Sequence, residues 1–328
     1  MGNMKFLVTG SSGFIGRGVV EQLLAAGHDV AGFDRRQPDE PTLGLKHFSG
    51  ELVDRERVFA VLSRARPEVV IHLAAKTSLK KTPNGHPRFL PNTQGTLNLM
   101  EAGRAVGTVR RTLFTSTKYV YRKAPPAPHR IYAPTTDYGR SKAAMEECVW
   151  EHDGMVAEWC IVRPTTIWGP GVGPHYQRFL RLVRDGRYVH FGRGDSMKHL
   201  GYIENTVWQI CRLAEMDGEI IHRKVLYVGD YDAIRVGDWA ETLREVYGAS
   251  PIRSVPVPLA SLAAKAGDLL VMCGWKGFPL TTFRFRNLTE DDLCDMEPTR
   301  AICGEVPVSL DESARRTVAW LNGLEPRI

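Results

Sequence analysis

The chain has 328 residues, 43% of them hydrophobic and 24% charged, and 43 Lys and Arg against 37 Asp and Glu leave a formal charge of +6. This is a globular composition that excludes collagen-like, low-complexity and coiled-coil classes, and the length suits two domains or one large α/β unit. The cations are spread without a long run, which argues against nucleic-acid binding, and six cysteines without a Cys-x-x-Cys pair fit neither a zinc site nor a disulfide framework, so a reducing compartment is expected.

Met1-Gly2-Asn3-Met4-Lys5-Phe6 runs straight into a strand pattern, leaving no room for the charged and apolar regions of a signal peptide, so a cytoplasmic protein is expected. Phe6 to Thr9 predicts a strand, and apolar residues then recur at helical spacing from Ile15 to Ala26 until Gly27. The alternation continues with strands over 30–33, 69–73, 112–115 and 159–163 and helices over 55–66, 92–106 and 138–151. Strands and helices alternating at this length need right-handed crossovers, which predicts a doubly wound parallel sheet covered on both faces.

Beyond Pro164 the regularity fades. Pro and Gly crowd 169–174, and amphipathic segments around 175–185, 204–215, 236–247 and 309–322 predict a smaller C-terminal α/β domain. The expected division is 1–170 for the first domain, with about 200–230 a candidate to return to it, and 171–328 for the second. Leu259 to Met272 contains Lys265 and Asp268 and falls short of the roughly 20 apolar residues of a membrane span. It is read as a core-facing helix, with surface attachment to a membrane as the alternative. Pro125-Pro126-Ala127-Pro128 predicts an extended loop.

Gly10-Ser11-Ser12-Gly13-Phe14-Ile15-Gly16 joins the first strand to the first helix, where small residues let the backbone approach a pyrophosphate favoured by the helix N-terminus. Asp34 closes the second strand, where a ribose-binding acid belongs in a Rossmann unit. Its carboxylate favours NAD; Arg35 and Arg36, which could reach a 2′-phosphate, keep NADP as the alternative. Tyr138 and Lys142 lie four residues apart on one helix face, where a fixed cation favours the phenolate and makes the tyrosine a usable base. Phe114-Thr115-Ser116-Thr117-Lys118-Tyr119-Val120-Tyr121 brings hydroxyls to the carboxyl end of a strand, where α/β ligand sites lie. His175, His190 and His199 have irregular spacing and no paired carboxylates, so no metal is expected. Arg178, Arg181 and Arg184 read as a solvated face.

The glycine loop, Ile71-His72-Leu73-Ala74-Ala75, Asn92-Thr93-Gln94-Gly95-Thr96, Thr115 to Tyr121, Tyr138 with Lys142, and Arg163-Pro164-Thr165-Thr166-Ile167-Trp168-Gly169-Pro170 together resemble the extended short-chain dehydrogenase/reductases, particularly the nucleotide-sugar epimerase/dehydratase branch. The likeness is dense to about residue 210. It implies a Rossmann domain followed by a substrate domain, a homodimer, NAD as cofactor and a nucleotide-diphosphate sugar as substrate. It implies Thr117, Tyr138 and Lys142 as the catalytic trio. For the cofactor it implies Gly10, Gly13, Phe14, Ile15, Gly16, Asp34, Arg35, Leu52, Leu73, Ala74, Ala75, Asn92 and Thr115 with Tyr138 and Lys142. Asn92 has two readings, a brace near the active site or a helix-start residue. For the substrate it implies Lys76, Thr117, Thr166, Arg193 and Lys198.

Three departures from the family pattern refine this. Dehydratases follow the catalytic Thr with Asp-Glu, whereas Lys118 and Tyr119 stand here, which disfavours dehydration. Glu51 replaces the usual Asp before Leu52, and Thr166 and Trp168 replace the Asn and Tyr of the Arg-Pro segment. The favoured activity is 4-epimerisation, with a nucleotide-4-keto-sugar reductase as runner-up and a hydroxysteroid-type dehydrogenase or a non-catalytic cofactor sensor behind them.

Overall fold

The structure is a computed structural model and describes residues 2–38, 40–77, 87–121, 129–275 and 280–323; the expected loop at 125–128 lies outside them. The first half runs β1 (Lys5–Thr9), α1 (Phe14–Ala25), β2 (Asp29–Asp34), β3 (Lys46–Ser49), α2 (Arg55–Ala65), β4 (Val69–His72), α3 (Gln94–Val106), β5 (Arg111–Thr115), α4 (Asp137–Glu151) and β6 (Glu158–Pro164). There follow β7 (Thr166–Trp168), α5 (Pro174–Arg184), β8 (Val189–Phe191), β9 (Met197–Lys198), β10 (Leu200–Tyr202), α6 (Ile203–Glu215), α7 (Gly218–Ile221), β11 (Lys224–Val228), β12 (Ile234–Arg235), α8 (Val236–Tyr247), β13 (Arg253–Val255), α9 (Val257–Met272), α10 (Thr282–Thr289), α11 (Glu297–Cys303) and α12 (Leu310–Gly323).

Seven strands form one sheet in the order β11-β6-β5-β4-β1-β2-β3, and every neighbouring pair is parallel. The doubly wound Rossmann architecture expected from the alternation is therefore present. β4 and β5 are buried along their whole length, as strands covered by helices on both faces must be. One layer packs Leu7, Ala31, Phe33, Val58, Leu62 and Leu99; another packs Met100, Phe114, Val149, Trp159 and Ile161. Helix starts are set locally: Asp54 accepts from Arg57 N at 2.9 Å to begin α2, and Thr136 accepts from Gly139 N at 3.0 Å to begin α4. β3 and β11 have no counterpart among the predicted elements, because Lys-His-Phe-Ser is too short and mixed to show a period and Lys-Val-Leu-Tyr-Val lies beyond the recognisable motifs.

The chain divides into two compact units. The first comprises 1–167, 203–231 and 294–307, and so contains the whole seven-stranded sheet. Its last segment is tied in by Thr299 Oγ1 donating to Tyr227 O at 2.6 Å and Tyr231 Oη donating to Gly304 O at 2.8 Å. The second comprises 168–202, 232–293 and 308–328, with β8 parallel to β13, β9 antiparallel to β12, and an aromatic core in which Phe179 stacks on Trp239 at 4.6 Å.

α9 corrects the reading of 259–272 as core-facing. Only Ala260, Ala264 and Gly267 are buried, while Leu259, Leu262, Leu269 and Met272 are exposed. The helix meets its neighbours through its small residues, which allow close approach, and turns the large ones away.

Candidate active site

The carboxyl ends of β5, β4, β1 and β2 lie side by side and present Thr115, His72, Thr9 and Asp34 along one edge of the sheet. The glycine loop leaves β1 at this edge. Gly10 has φ +73°, and a Cβ there would fall 2.7 Å from Ala74 N; a Cβ on Gly16 would fall 2.1 Å from Gly10 O. No side chain caps α1 at Gly13, so the first-turn amides are left for a ligand, with Phe14 and Ile15 half-buried beside them. Asp34 Oδ2 accepts from Ser12 N at 3.1 Å and Oδ1 from Arg36 N at 2.9 Å, which fixes the carboxylate while leaving lone pairs for ribose hydroxyls. The bare helix start, the glycine cradle and the fixed acid fit NAD. Arg35 is exposed, and Leu52 is buried with its carbonyl accepting from Asn98 Nδ2 at 2.9 Å.

Thr117, just past β5, and Tyr138, at the start of α4, are both buried, and the Thr117 side chain favours ionisation of the Tyr138 phenol. Lys142 follows one turn on in α4; it is 1% exposed and donates to Thr115 O at 2.6 Å. Glu146 comes a turn later, where it receives Arg163 Nη2 at 2.6 Å and Nε at 2.9 Å, while Arg163 Nη1 donates to Tyr227 Oη at 3.3 Å. Both partners are essentially inaccessible to solvent. Burial pushes the Tyr138 phenol up, opposed by the Thr117 hydrogen bond. Burial pulls the Lys142 ammonium down to about 7, opposed by Glu146. A phenolate at Tyr138 would need a cation to offset its burial, and Lys142 is the buried cation of α4.

Lys142 carries a pH dependence with a definite sign. Its folded value of about 7 lies below its ordinary 10.5, so between the two the unfolded chain binds more protons and stability rises with pH. The melting temperature of cofactor-free protein is expected to rise from pH 7 to 8, below the range in which the buried thiols of Cys160, Cys211 and Cys303, raised by burial, oppose it, and Lys142→Met to remove that slope. A wild-type melting temperature that falls over this range, with Lys142→Met following the same curve, would rule the assignment out.

A chain of hydrogen bonds joins the loop edge to α4. Ala74 N donates to Thr9 Oγ1 at 3.2 Å, Thr9 Oγ1 meets His72 Nδ1 at 2.8 Å, His72 Nε2 meets Thr96 Oγ1 at 3.0 Å, and Thr96 Oγ1 donates to Asn92 O at 3.0 Å. An amide N–H can only donate and a carbonyl can only accept, so Thr9 donates to Nδ1 and Nε2–H donates to Thr96, which fixes the tautomer. Burial, helped by the Lys142 charge, lowers His72 to about 3 and keeps it neutral. The Asn92 amide accepts from Lys76 N at 2.7 Å and donates to Lys76 O at 3.1 Å and to Ser141 Oγ at 2.9 Å; Ser141 Oγ donates to Tyr138 O at 2.7 Å. The Asn92 side chain thus ties the segment after β4 to Ser141 in α4, while its carbonyl meets the first turn of α3. Leu73 and Ala75 are half-buried between these anchors.

The substrate residues inferred from sequence are dispersed. Lys76 and Thr166 are half-buried in the first unit; Arg193 and Lys198 belong to the second. Arg193 is exposed. Lys198 is buried and its ammonium donates to Glu290 O, so this side chain ties β9 to the 290–292 segment instead of standing open to a diphosphate. Thr9, His72, Thr96, Ser141, Glu146 and Arg163 were assigned no role from sequence. The signal that could have found Arg163 is a lone cation in an otherwise apolar strand, which demands a buried partner. Among the described residues no cluster of His, Cys, Asp and Glu could hold a metal, and no helix is long and apolar enough to cross a membrane.

A doubly wound sheet with a bare glycine-loop helix start and a fixed acid at the end of β2 defines a dinucleotide-dependent enzyme of the short-chain dehydrogenase/reductase class. The chain belongs to the NAD dependent epimerase/dehydratase family, whose profile matches residues 6–229. It is an NAD-dependent epimerase or oxidoreductase of the extended type. It is 27% identical over 333 residues to the 2-alkyl-3-oxoalkanoate reductase of Stenotrophomonas maltophilia, covering 96% of this chain and 99% of that protein. It is 29% identical over 224 residues to the UDP-glucose 4-epimerase of Mycolicibacterium smegmatis, covering 62% of this chain and 71% of that one. The UDP-glucose 4-epimerase of Thermus thermophilus, solved with NAD, superposes with a TM-score of 0.74 at 24% identity over 98% of this chain and 99% of that one, a likeness that shows the fold.

Proposed function

We propose that the protein is a nucleotide-hexose 4-epimerase in which Tyr138 is the base. The observation that carries the reading is the burial together of Thr117, Tyr138 and Lys142, with the phenol and the ammonium one turn apart on α4 and Thr117 favouring the ionised phenol. Thr117 hydrogen-bonds the sugar's 4-oxygen, and Tyr138 removes its proton as the C4 hydride departs. NAD held by the glycine loop and Asp34 would supply both the acceptor and the donor of that hydride, so the net reaction would consume no cofactor. Tyr138 holds the proton while the 4-keto sugar turns over and then gives it back to the 4-oxygen. Lys142 stabilises the phenolate between the two halves. Lys118 and Tyr119 after Thr117 lack the acid and base an elimination would use, which supports epimerisation over dehydration. Arg193 is the proposed cation for the diphosphate, and the family resemblance supports a homodimer in the cytoplasm.

A nucleotide-4-keto-sugar reductase is the second reading, favoured by the end-to-end match to a reductase. Identifying the nucleotide released on denaturing purified protein separates the two: retained NAD is expected for an epimerase, whereas protein that emerges empty and oxidises NADPH with a 4-keto sugar is a reductase. Asp34→Ala is expected to weaken NAD more than NADP, because the carboxylate is proposed to hold the ribose hydroxyls and repel a 2′-phosphate. A wild type that already prefers NADP would transfer the cofactor-reading role to Arg35 or Arg36.

A further inference from the structure

α9 is turned inside out. Its buried positions, Ala260, Ala264 and Gly267, follow one another at helical spacing, and so do its exposed ones: Leu259, Leu262, Ala266, Leu269 and Cys273 make a continuous outward stripe, with Met272 beside it. Leu262 is 67% exposed, Leu269 61% and Met272 82%; Trp275, just past the helix, is 59% exposed and Phe283 in α10 is 45% exposed. An amphipathic helix ordinarily buries its large apolar residues. Here 16 residues, about 24 Å of helix, present them to the outside.

The charges say what covers this face. Lys265 is exposed at the edge of the stripe, three residues after Leu262 and four before Leu269. In a two-fold antiparallel pairing of two copies across the stripe, whose middle residue is Ala266, Lys265 of each copy comes within one step of Lys265 of the other on the same edge of the seam; a parallel two-fold pairing sets them at the same height on its two edges. Either brings like charges to an apolar seam with no acid to answer them. A lipid surface has no such conflict, because the lysine stem lies along Leu262 and Leu269 and its ammonium reaches the headgroup phosphates. The surroundings have the same sign: the described part of 253–290 carries Arg253, Lys265, Arg284 and Arg286 against Asp268 and Glu290. Of those two acids, Asp268 accepts from Thr282 N at 3.2 Å and Glu290 lies 3.6 Å from Arg286. Trp275 adds an indole at the helix end, a side chain favoured at the membrane–water boundary.

We propose that α9 and the start of α10 dock the protein on an anionic lipid surface, the helix lying in the headgroup plane with Leu262, Leu269, Met272 and Trp275 inserted. The attachment does not depend on which sugar is turned over. It places the enzyme against a membrane, and substrates carried by a lipid anchor become accessible to it.

The test is co-sedimentation of the full chain with vesicles of phosphatidylcholine alone and of phosphatidylcholine with about a third phosphatidylglycerol. Wild type is expected to pellet with the anionic vesicles and to be released by salt. Lys265→Ala should bind them about five-fold more weakly, the usual effect of one cation near such a surface. The triple variant Leu262→Glu, Leu269→Glu, Met272→Glu should stay in the supernatant with unchanged melting temperature and NAD binding, since all three side chains are exposed. Wild type remaining in the supernatant with both vesicle types overturns the proposal, and so does a triple variant that pellets as wild type does. Sedimentation velocity without lipid provides a third arm: a wild-type oligomer that the triple variant dissociates would show that the face joins copies of this chain instead.

Discussion

Tyr138→Phe is expected to reduce turnover by about 10²–10⁴-fold, the contribution of a positioned general base, while leaving NAD affinity unchanged. The ring stays in place between Thr117 and Tyr119, whose own ring lies 6.4 Å from it, so the buried start of α4 keeps its packing and only the proton acceptor is lost. The glycine loop and Asp34 do not touch the phenol. Single-turnover measurement with enzyme-bound NAD separates chemistry from binding. A Phe variant with near-normal turnover removes Tyr138 from the mechanism, whereas one that has lost NAD has been damaged elsewhere.

Arg163→Met is expected to produce the largest loss of stability, on the order of 3–5 kcal/mol, because it strands the Glu146 carboxylate where no solvent reaches it. By the same reasoning the double variant Arg163→Met, Glu146→Leu should recover most of that loss, since a well-packed apolar pair leaves no buried charge unanswered. Chemical denaturation of the four proteins of this cycle measures the coupling. A single variant as stable as wild type would show that water reaches Glu146 after all.

The sheet was legible in the sequence wherever one strand and one helix made a clean period. Strands β1, β2, β4, β5 and β6 announce themselves as short apolar runs between glycine, proline and polar turns, because central parallel strands are buried on both faces. The edge strands β3 and β11 were not legible, since the pairing that defines them is not local. The candidate site divides in the same way. Its glycines, acid, tyrosine and lysine sit at fixed spacings along the chain. The side chains that hold them do not: Arg163 reaches Glu146 across 17 residues and His72 reaches Thr9 across 63. α9 misled for a different reason. Apart from Lys265 and Asp268 its sequence is apolar on every side, and only the structure shows that the small residues Ala260, Ala264 and Gly267 face inward.

The chain of bonds through His72 also bears on where the proton that Tyr138 is proposed to take up could go. Transport along hydrogen-bonded groups requires each member to pass a proton on and then turn round to receive the next. Here one end is the Ala74 amide and the other the Asn92 carbonyl, and neither can reverse. Every bond between them points one way, with a histidine too weakly basic to hold a second proton near neutrality. The row is therefore an insulator: in the proposed reaction a proton lost from the substrate would stay on the Tyr138 side until it is returned.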